Sequence, residues 1–372
     1  MDLTPRQRVE RALRGGHSDS VPFTMYECMI PQCAAEREMR NRGLCIVQRD
    51  VPVFETHWPN VRITEHTYWE GDRKMTRTVY ETPRGNLSTL SEDAGFTAWR
   101  HEKMFKTPDD YEAILFLIQD EMYEPNYTEF AKAQDAFGED AIFRAQIGLE
   151  PLQTLISGTI MDMQTFCIQW MDNRDDILRL YDAVVENRRR IYPIVAGSPA
   201  SHANYGGNVV PEIVGLESFE QYYVQHYNEA AEILHEHGKL IGCHFDANCR
   251  LLSGAIAQTQ LDYIEAFTPA PDTDMTVGEA RETWPDKVLW LNFPSSVHLK
   301  SESEVERATV DLLNDLTTVD GFIVGITEDM PPDRWRGSCQ AIMDGLERHA
   351  REHPHMYRPP GWQGQEFVSK GG

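Results

Sequence analysis

The chain has 372 residues and a formal charge of -24, with 59 acidic against 35 basic side chains. A field of that sign repels nucleic acid and anionic membrane, so neither is expected as a partner. Seven scattered cysteines (28, 33, 45, 167, 243, 249 and 339) with no CxxC pair argue against a disulfide framework and for a reducing cytoplasm.

The N-terminus lacks the apolar run of a signal peptide, and no stretch approaches the ~20 apolar residues of a membrane helix. The chain opens with a helix: Thr4 is placed to cap it, Pro5 suits its first turn, and Val9, Ala12 and Leu13 form its apolar stripe up to Gly15-Gly16. Eight apolar runs then read as parallel strands buried on both faces. They are Val21–Glu27, Cys45–Phe54, Ala141–Ile147, Ala200–Tyr205, Lys239–Asp246, Leu261–Phe267, Lys287–Phe293 and Gly321–Thr327, of which the second and fourth are the poorest patterns. Helical periodicity fills Tyr111–Leu117, Leu152–Trp170, Arg174–Tyr192, Phe219–His237, Glu302–Thr318 and Trp335–His353. Gly238 reads as a C-cap, and Asp329 or Asp333 as the start of the last helix. Strand–helix alternation over this length predicts an α/β, (β/α)8 TIM barrel, with residues 1–372 as one domain.

Residues 61–90 break the alternation. They mix Thr, Tyr, Val and Arg around the turns Glu70-Gly71-Asp72 and Pro83-Arg84-Gly85-Asn86, which predicts an antiparallel insertion over one barrel mouth. Trp58, Tyr68 and Trp69 there are read as packing rather than binding aromatics. Residues 358–372 read as a weakly ordered tail.

Polar residues gather where the strand runs stop: Tyr26-Glu27, Gln146, Asn204 to Asn208, His244-Phe245-Asp246, Glu265, Asn292 and Thr327-Glu328-Asp329. One polar strand end marks only the limit of burial. Seven that converge on the C-terminal face of a barrel predict a site. His244 and Asp246 are two apart on a strand and share a face. The pair suits a carboxylate-oriented acid–base histidine, a metal site with Glu328 or Glu265 as a third ligand, or a structural hydrogen bond. The loop Asn204-Tyr205-Gly206-Gly207-Asn208 allows close backbone approach to a ligand. The GxGxxG, Walker, GxSxG and HExxH patterns are absent.

Several blocks carry a family likeness. Thr4-Pro5-Arg6-Gln7-Arg8-Val9 through Val21-Pro22-Phe23, Thr82-Pro83-Arg84-Gly85-Asn86-Leu87, Gly242 to Asn248 and Gly321 to Pro331 resemble the uroporphyrinogen decarboxylase superfamily, in particular its corrinoid-linked methyltransferase branch. The resemblance implies a (β/α)8 barrel with one funnel-shaped site. The arginine block that true uroporphyrinogen decarboxylases carry after the first strand reads Tyr26-Glu27-Cys28-Met29-Ile30-Pro31-Gln32 here. An acid in that place opposes a polycarboxylate substrate. The zinc pair His-x-Cys of the coenzyme M methyltransferases becomes His244 and Asp246, with Glu328 near the place of the distant Cys. That donor set is richer in oxygen, so harder metals than zinc become suitable.

The expected function is therefore methyl transfer between a small methylated compound or tetrahydrofolate and a corrinoid, held on a separate carrier protein. His244, Asp246, Glu328 and Glu27 are the expected catalytic groups, and Tyr26, Gln146, Tyr205, Asn208, Glu265 and Asn292 the substrate-binding ones. A divalent metal, zinc first, would sit on His244, Asp246 and Glu328. The rivals are a decarboxylase of a small aromatic or porphyrin-like acid and a non-catalytic barrel, recognisable by His244 and Asp246 paired only to each other. A homodimer is compatible with the fold, without a seam in the sequence that demands it.

Overall fold

The computed structural model describes residues 3–95, 98–326 and 330–357. The whole closing cluster Thr327-Glu328-Asp329, with the expectations placed on Glu328 and Asp329, and the 358–372 tail lie outside them.

Among the described residues, eight parallel strands close into a ring in chain order. They are β1 (Phe23–Tyr26), β2 (Leu44–Gln48), β3 (Ala141–Phe143 and Ala145–Gly148, interrupted at Arg144), β4 (His202–Tyr205), β5 (Leu240–His244), β6 (Tyr263–Phe267), β7 (Val288–Asn292) and β8 (Phe322–Ile326). The ring closes where Phe23 of β1 stands beside Val324 of β8. All eight expected strands are present, the poorly patterned second and fourth included, and the fold is the expected TIM barrel. Helices cover its outside, so both strand faces are buried, which is why the runs read as continuous apolar stretches.

The first helix, Pro5–Leu13, has the expected capping box: Thr4 Oγ1 accepts from Gln7 N at 3.2 Å. Its Val9, Ala12 and Leu13 pack with Cys45, Val47, Ile142, Val288 and Ile323. The helix thus plugs the N-terminal end of the barrel with apolar side chains and leaves the other end for chemistry.

Some boundaries differ from expectation. The Leu152–Trp170 pattern is two helices, Pro151–Ser157 and Met163–Asp172, and Phe219–His237 is also two, Leu216–Tyr222 and Val224–Glu236. The last helix, Trp335–Glu352, has Arg334 at its N-cap with no side-chain cap bond, so Asp333 does not start it. The insertion is larger than residues 61–90. Four antiparallel strands run from Arg62 to Glu102, and Phe54–His57 pairs separately with Met122–Pro125. It leaves the barrel after β2, on the side of the strand C-termini. Trp69 is exposed on it, whereas Trp58 lines a cavity beneath it.

Candidate functional site

The barrel interior is fixed by period-two alternation. With Tyr26, Asn204, His244, Glu265 and Arg144 pointing inward, one carboxylate becomes the hub. Glu265 is fully buried. Its Oε1 accepts from Tyr26 Oη at 2.6 Å and from Arg144; its Oε2 accepts from Asn204 Nδ2 at 2.6 Å and faces His244 Nδ1 at 3.0 Å. Burial acts to raise the Glu265 carboxyl, but Arg144, followed by His244 and Tyr26, holds it well below the usual carboxylate range. Burial likewise opposes the Arg144 charge, and Glu265 outweighs it. The hub is an ion pair sealed in the barrel, with its remaining lone pairs satisfied. Tyr263 fixes the Asn204 amide by donating to its Oδ1 at 2.7 Å.

The backbone bends to aim the hub. β6 bulges between Glu265 and Phe267, where Ala266 adopts a φ of 57°. A non-glycine residue in that region is uncommon and marks a position held by its surroundings.

His244 lies above the hub, and its side chain is 14% exposed. With Nδ1 directed at Glu265, the Nε2 edge faces Asp246 Oδ2 at 3.5 Å. Burial acts to raise the Asp246 carboxyl, yet its bond to His244 holds it below the ordinary value. The expected pairing of His244 with Asp246 is present, and a third member, Glu265, completes a carboxylate–imidazole–carboxylate line.

The other expected residues divide. Tyr26 reaches the centre, but it is buried and its hydroxyl is taken by Glu265, so it supports the hub rather than contacting substrate. Glu265 is likewise no substrate contact and no third metal ligand, because both its oxygens are engaged inside the barrel. Tyr205 is a correction: it turns outward into the helix layer, where its hydroxyl meets Tyr192 Oη at 2.8 Å. Its inward neighbour Asn204 takes the place expected for it. Glu27 pairs with Arg49 at 3.3 Å. Gln146 is half-buried, in register with Asn204. Asn208 is exposed at a φ of 56°, and its carbonyl accepts from Gln153 Nε2. Asn292 donates to Thr268 Oγ1 at 3.0 Å.

Three groups are additions to the sequence reading. Arg144 was visible as a lone charge in an apolar strand, a position that demands a buried partner. Arg49 lays its guanidinium 3.3 Å from the centre of the Tyr26 ring. Glu150, fully buried after β3, accepts from Tyr227, Cys243 and the Gly207 amide.

No cluster of three His, Cys, Asp or Glu groups suited to a metal occurs among the described residues. His244 and Asp246 supply two donors where zinc takes three or four, and Glu328 lies outside the described residues. All seven cysteines are free. No described helix is long and apolar enough to cross a membrane.

No family model matches the chain, and no curated protein does. Among solved structures, it is similar to the octameric ribulose-1,5-bisphosphate carboxylase/oxygenase of Pyrococcus horikoshii OT3, at 10% identity and a TM-score of 0.33; the match covers 90% of this chain and 63% of that one. It is also similar to a GH20 catalytic module of the pneumococcal exo-beta-D-N-acetylglucosaminidase StrH, at 12% identity and a TM-score of 0.35, over 71% of this chain and 76% of that one.

Proposed function

We propose that the barrel is an enzyme acting on a small molecule, with His244 as its proton-transferring group. The lead reaction is methyl transfer between a methylated compound or methyl-folate and a corrinoid, as in the superfamily branch the sequence resembles. The observation that carries the reading is the His244 geometry: Nδ1 on the buried Glu265 carboxylate, Nε2 turned to the mouth beside Asp246.

The chemistry of the chain follows from that line. Glu265, kept ionised by Arg144, accepts the Nδ1 proton and fixes the tautomer and ring plane. Nε2 is then the atom that exchanges a proton. It donates to the leaving nitrogen or oxygen as the bond to the methyl carbon breaks, and Asp246 stabilises the imidazolium from which the proton comes. A corrinoid, when bound, supplies the nucleophile that takes the methyl group. Gln146 and Asn292, near the ends of β3 and β7, and Asn208, in the loop after β4, would orient the substrate. His244 Nε2 and Asp246 are fewer donors than the three or four that zinc takes, so a divalent metal would need a further ligand. Exposed apolar side chains on the helices that follow β3 to β5, namely Met163, Ile168, Met171, Ile213, Leu216 and Leu251, would suit the approach of a carrier protein. The free thiols suit the cytoplasm.

One observation favours a second reading. The partly exposed guanidinium of Arg49 lies over the Tyr26 ring, a cation beside the first strand end where the sequence suggested none. A carboxylate substrate held by Arg49 would lose CO2 as His244 delivers a proton to the carbon left behind. The non-catalytic reading expects a collapsed mouth with His244 paired to Asp246 alone; the Glu265 contact at Nδ1 favours the catalytic reading. Turnover of methylamines, methoxyarenes and methyl-folate with free cobalamin tests the lead. CO2 release from small aromatic acids without cobalamin selects the second reading, and inactivity on the whole methyl panel rejects the first.

A further inference from the structure

Glu150 has no place in the chemistry above, yet its partners adjoin it. The carboxylate is fully buried, and among the described residues no cation pairs with it. Three donors converge on it: Tyr227 Oη and Cys243 Sγ (3.4 Å) on Oε1, and the Gly207 amide (3.3 Å) on Oε2. Two of these contacts lead to His244. Cys243 is its neighbour on β5. The Gly206-Gly207 turn lies directly between Glu150 and the imidazole: a Cβ on Gly206 would fall 1.8 Å from Glu150 Oε1, and one on Gly207 would fall 3.2 Å from His244 Cβ. Both glycines have positive φ, 79° and 145°, and Gly206 N is pinned to Gly148 O at 2.8 Å. No side chain intervenes, so a shift of the carboxyl is passed to the histidine as a shift of backbone.

We propose that Glu150 is a positioning residue for His244, acting through the Gly206-Gly207 turn and through Cys243. Because all three partners are donors, the ionised carboxyl satisfies them together. A protonated carboxyl is a poorer acceptor than the carboxylate, so its hold on the Gly207 amide weakens. The surroundings leave this switch to Glu150. Burial raises it to about 7. The groups packed on it are Tyr205 from β4, Tyr223 from the turn between the two following helices, Tyr227 from the second of them and Cys243 from β5, all pushed by burial well above their ordinary values. Arg188, from the helix Arg174–Gly197, donates to the neighbouring Leu149 carbonyl, and Glu265, on β6, faces His244 inside the barrel.

The proposal rests on the reading of His244 as the proton-transferring group, but its test does not need turnover. Protein labelled with 15N-histidine is titrated by NMR, with the His244 ring assigned from its loss in His244→Gln. In Glu150→Gln the His244 midpoint falls by about half a pH unit or more, since a nearby negative charge is gone. Glu150→Asp, which keeps the charge, restores most of it. If Glu150→Gln does not fold, the His244 shifts of the wild-type chain carry an inflection near pH 7 that moves in Glu150→Asp. A folded Glu150→Gln with the wild-type midpoint, or wild-type His244 shifts without that inflection, overturns the proposal. Inactivity on every methyl donor would instead reject the proposed reaction and leave the titration result as it stands.

Discussion

His244 Nδ1 and Glu265 Oε2 stand 3.0 Å apart on adjacent strands, in direct register across β5 and β6. The contact joins an accessible imidazole to a buried ion pair, so the carboxylate has two duties that substitution should separate. Glu265→Gln keeps the shape of the side chain but leaves the Arg144 charge without its counterion in the barrel. Breaking one half of a buried pair costs about 3–5 kcal/mol. Urea unfolding should show that loss in Glu265→Gln and a comparable one in Arg144→Met. A loss under ~1 kcal/mol in both would mean the pair is hydrated and the hub assignment is wrong.

His244→Gln and Asp246→Asn lie at the partly exposed end of the same line, so their stability should change little. Their turnover should fall by ~10²–10⁴ for the histidine and less for the aspartate, which only stabilises the charged ring. Metal analysis of the two variants separates the roles. Stoichiometric metal lost from both marks a ligand pair, and unchanged content leaves them to proton transfer.

The contrast between these two sites shows what the sequence could convey. Strand existence was legible because strands covered by helices are apolar on both faces, and even the weak Ala200–Tyr205 pattern is real as His202–Tyr205. His244 and Asp246 were legible because their spacing is local. Glu265 was legible as a polar strand end but not as a hub, since its partners come from β1, β3, β4 and β5, distances that periodicity does not encode. Tyr205 was misassigned by position. Alternation from an inward His202 places Asn204 inward and Tyr205 outward, a test the sequence already permitted. Glu150 was hidden because its acceptor role depends on Tyr227, 77 residues away.

That neighbouring pair offers a compact check. Asn204→Leu removes a donor to Glu265 and the acceptor for Tyr263, and should lower turnover strongly as His244 loses its fixed partner. Tyr205→Phe removes one hydrogen bond to Tyr192 in the helix layer, worth ~1 kcal/mol, and should leave turnover near wild type. Full activity in Asn204→Leu together with loss in Tyr205→Phe would restore the original assignment of Tyr205 to the substrate.

The last prediction concerns pH and stability, where two kinds of buried group oppose each other. His202 and His298 are buried, and burial lowers them to about 3 and about 4, from an ordinary 6.5. The unfolded chain therefore binds more protons than the folded one between those values and 6.5, and stability falls as pH drops through that window. At pH 5 each should cost about 2 kcal/mol relative to neutral pH. Glu150 has the opposite sign. Its folded value, about 7, exceeds the ordinary 4.5, so the folded chain binds the extra proton and stability falls as pH rises from 4.5 to 7. Among the described residues His202 Nε2 has no hydrogen-bond partner, so His202→Phe removes the acid penalty at the cost of a single contact, Nδ1 to Ser201 Oγ at 3.1 Å. Unfolding free energies at pH 5 and pH 8 should show His202→Phe gaining on wild type at the lower pH and Glu150→Gln gaining at the higher one. If both variants track wild type in parallel across the range, neither group titrates on unfolding and both assignments fail.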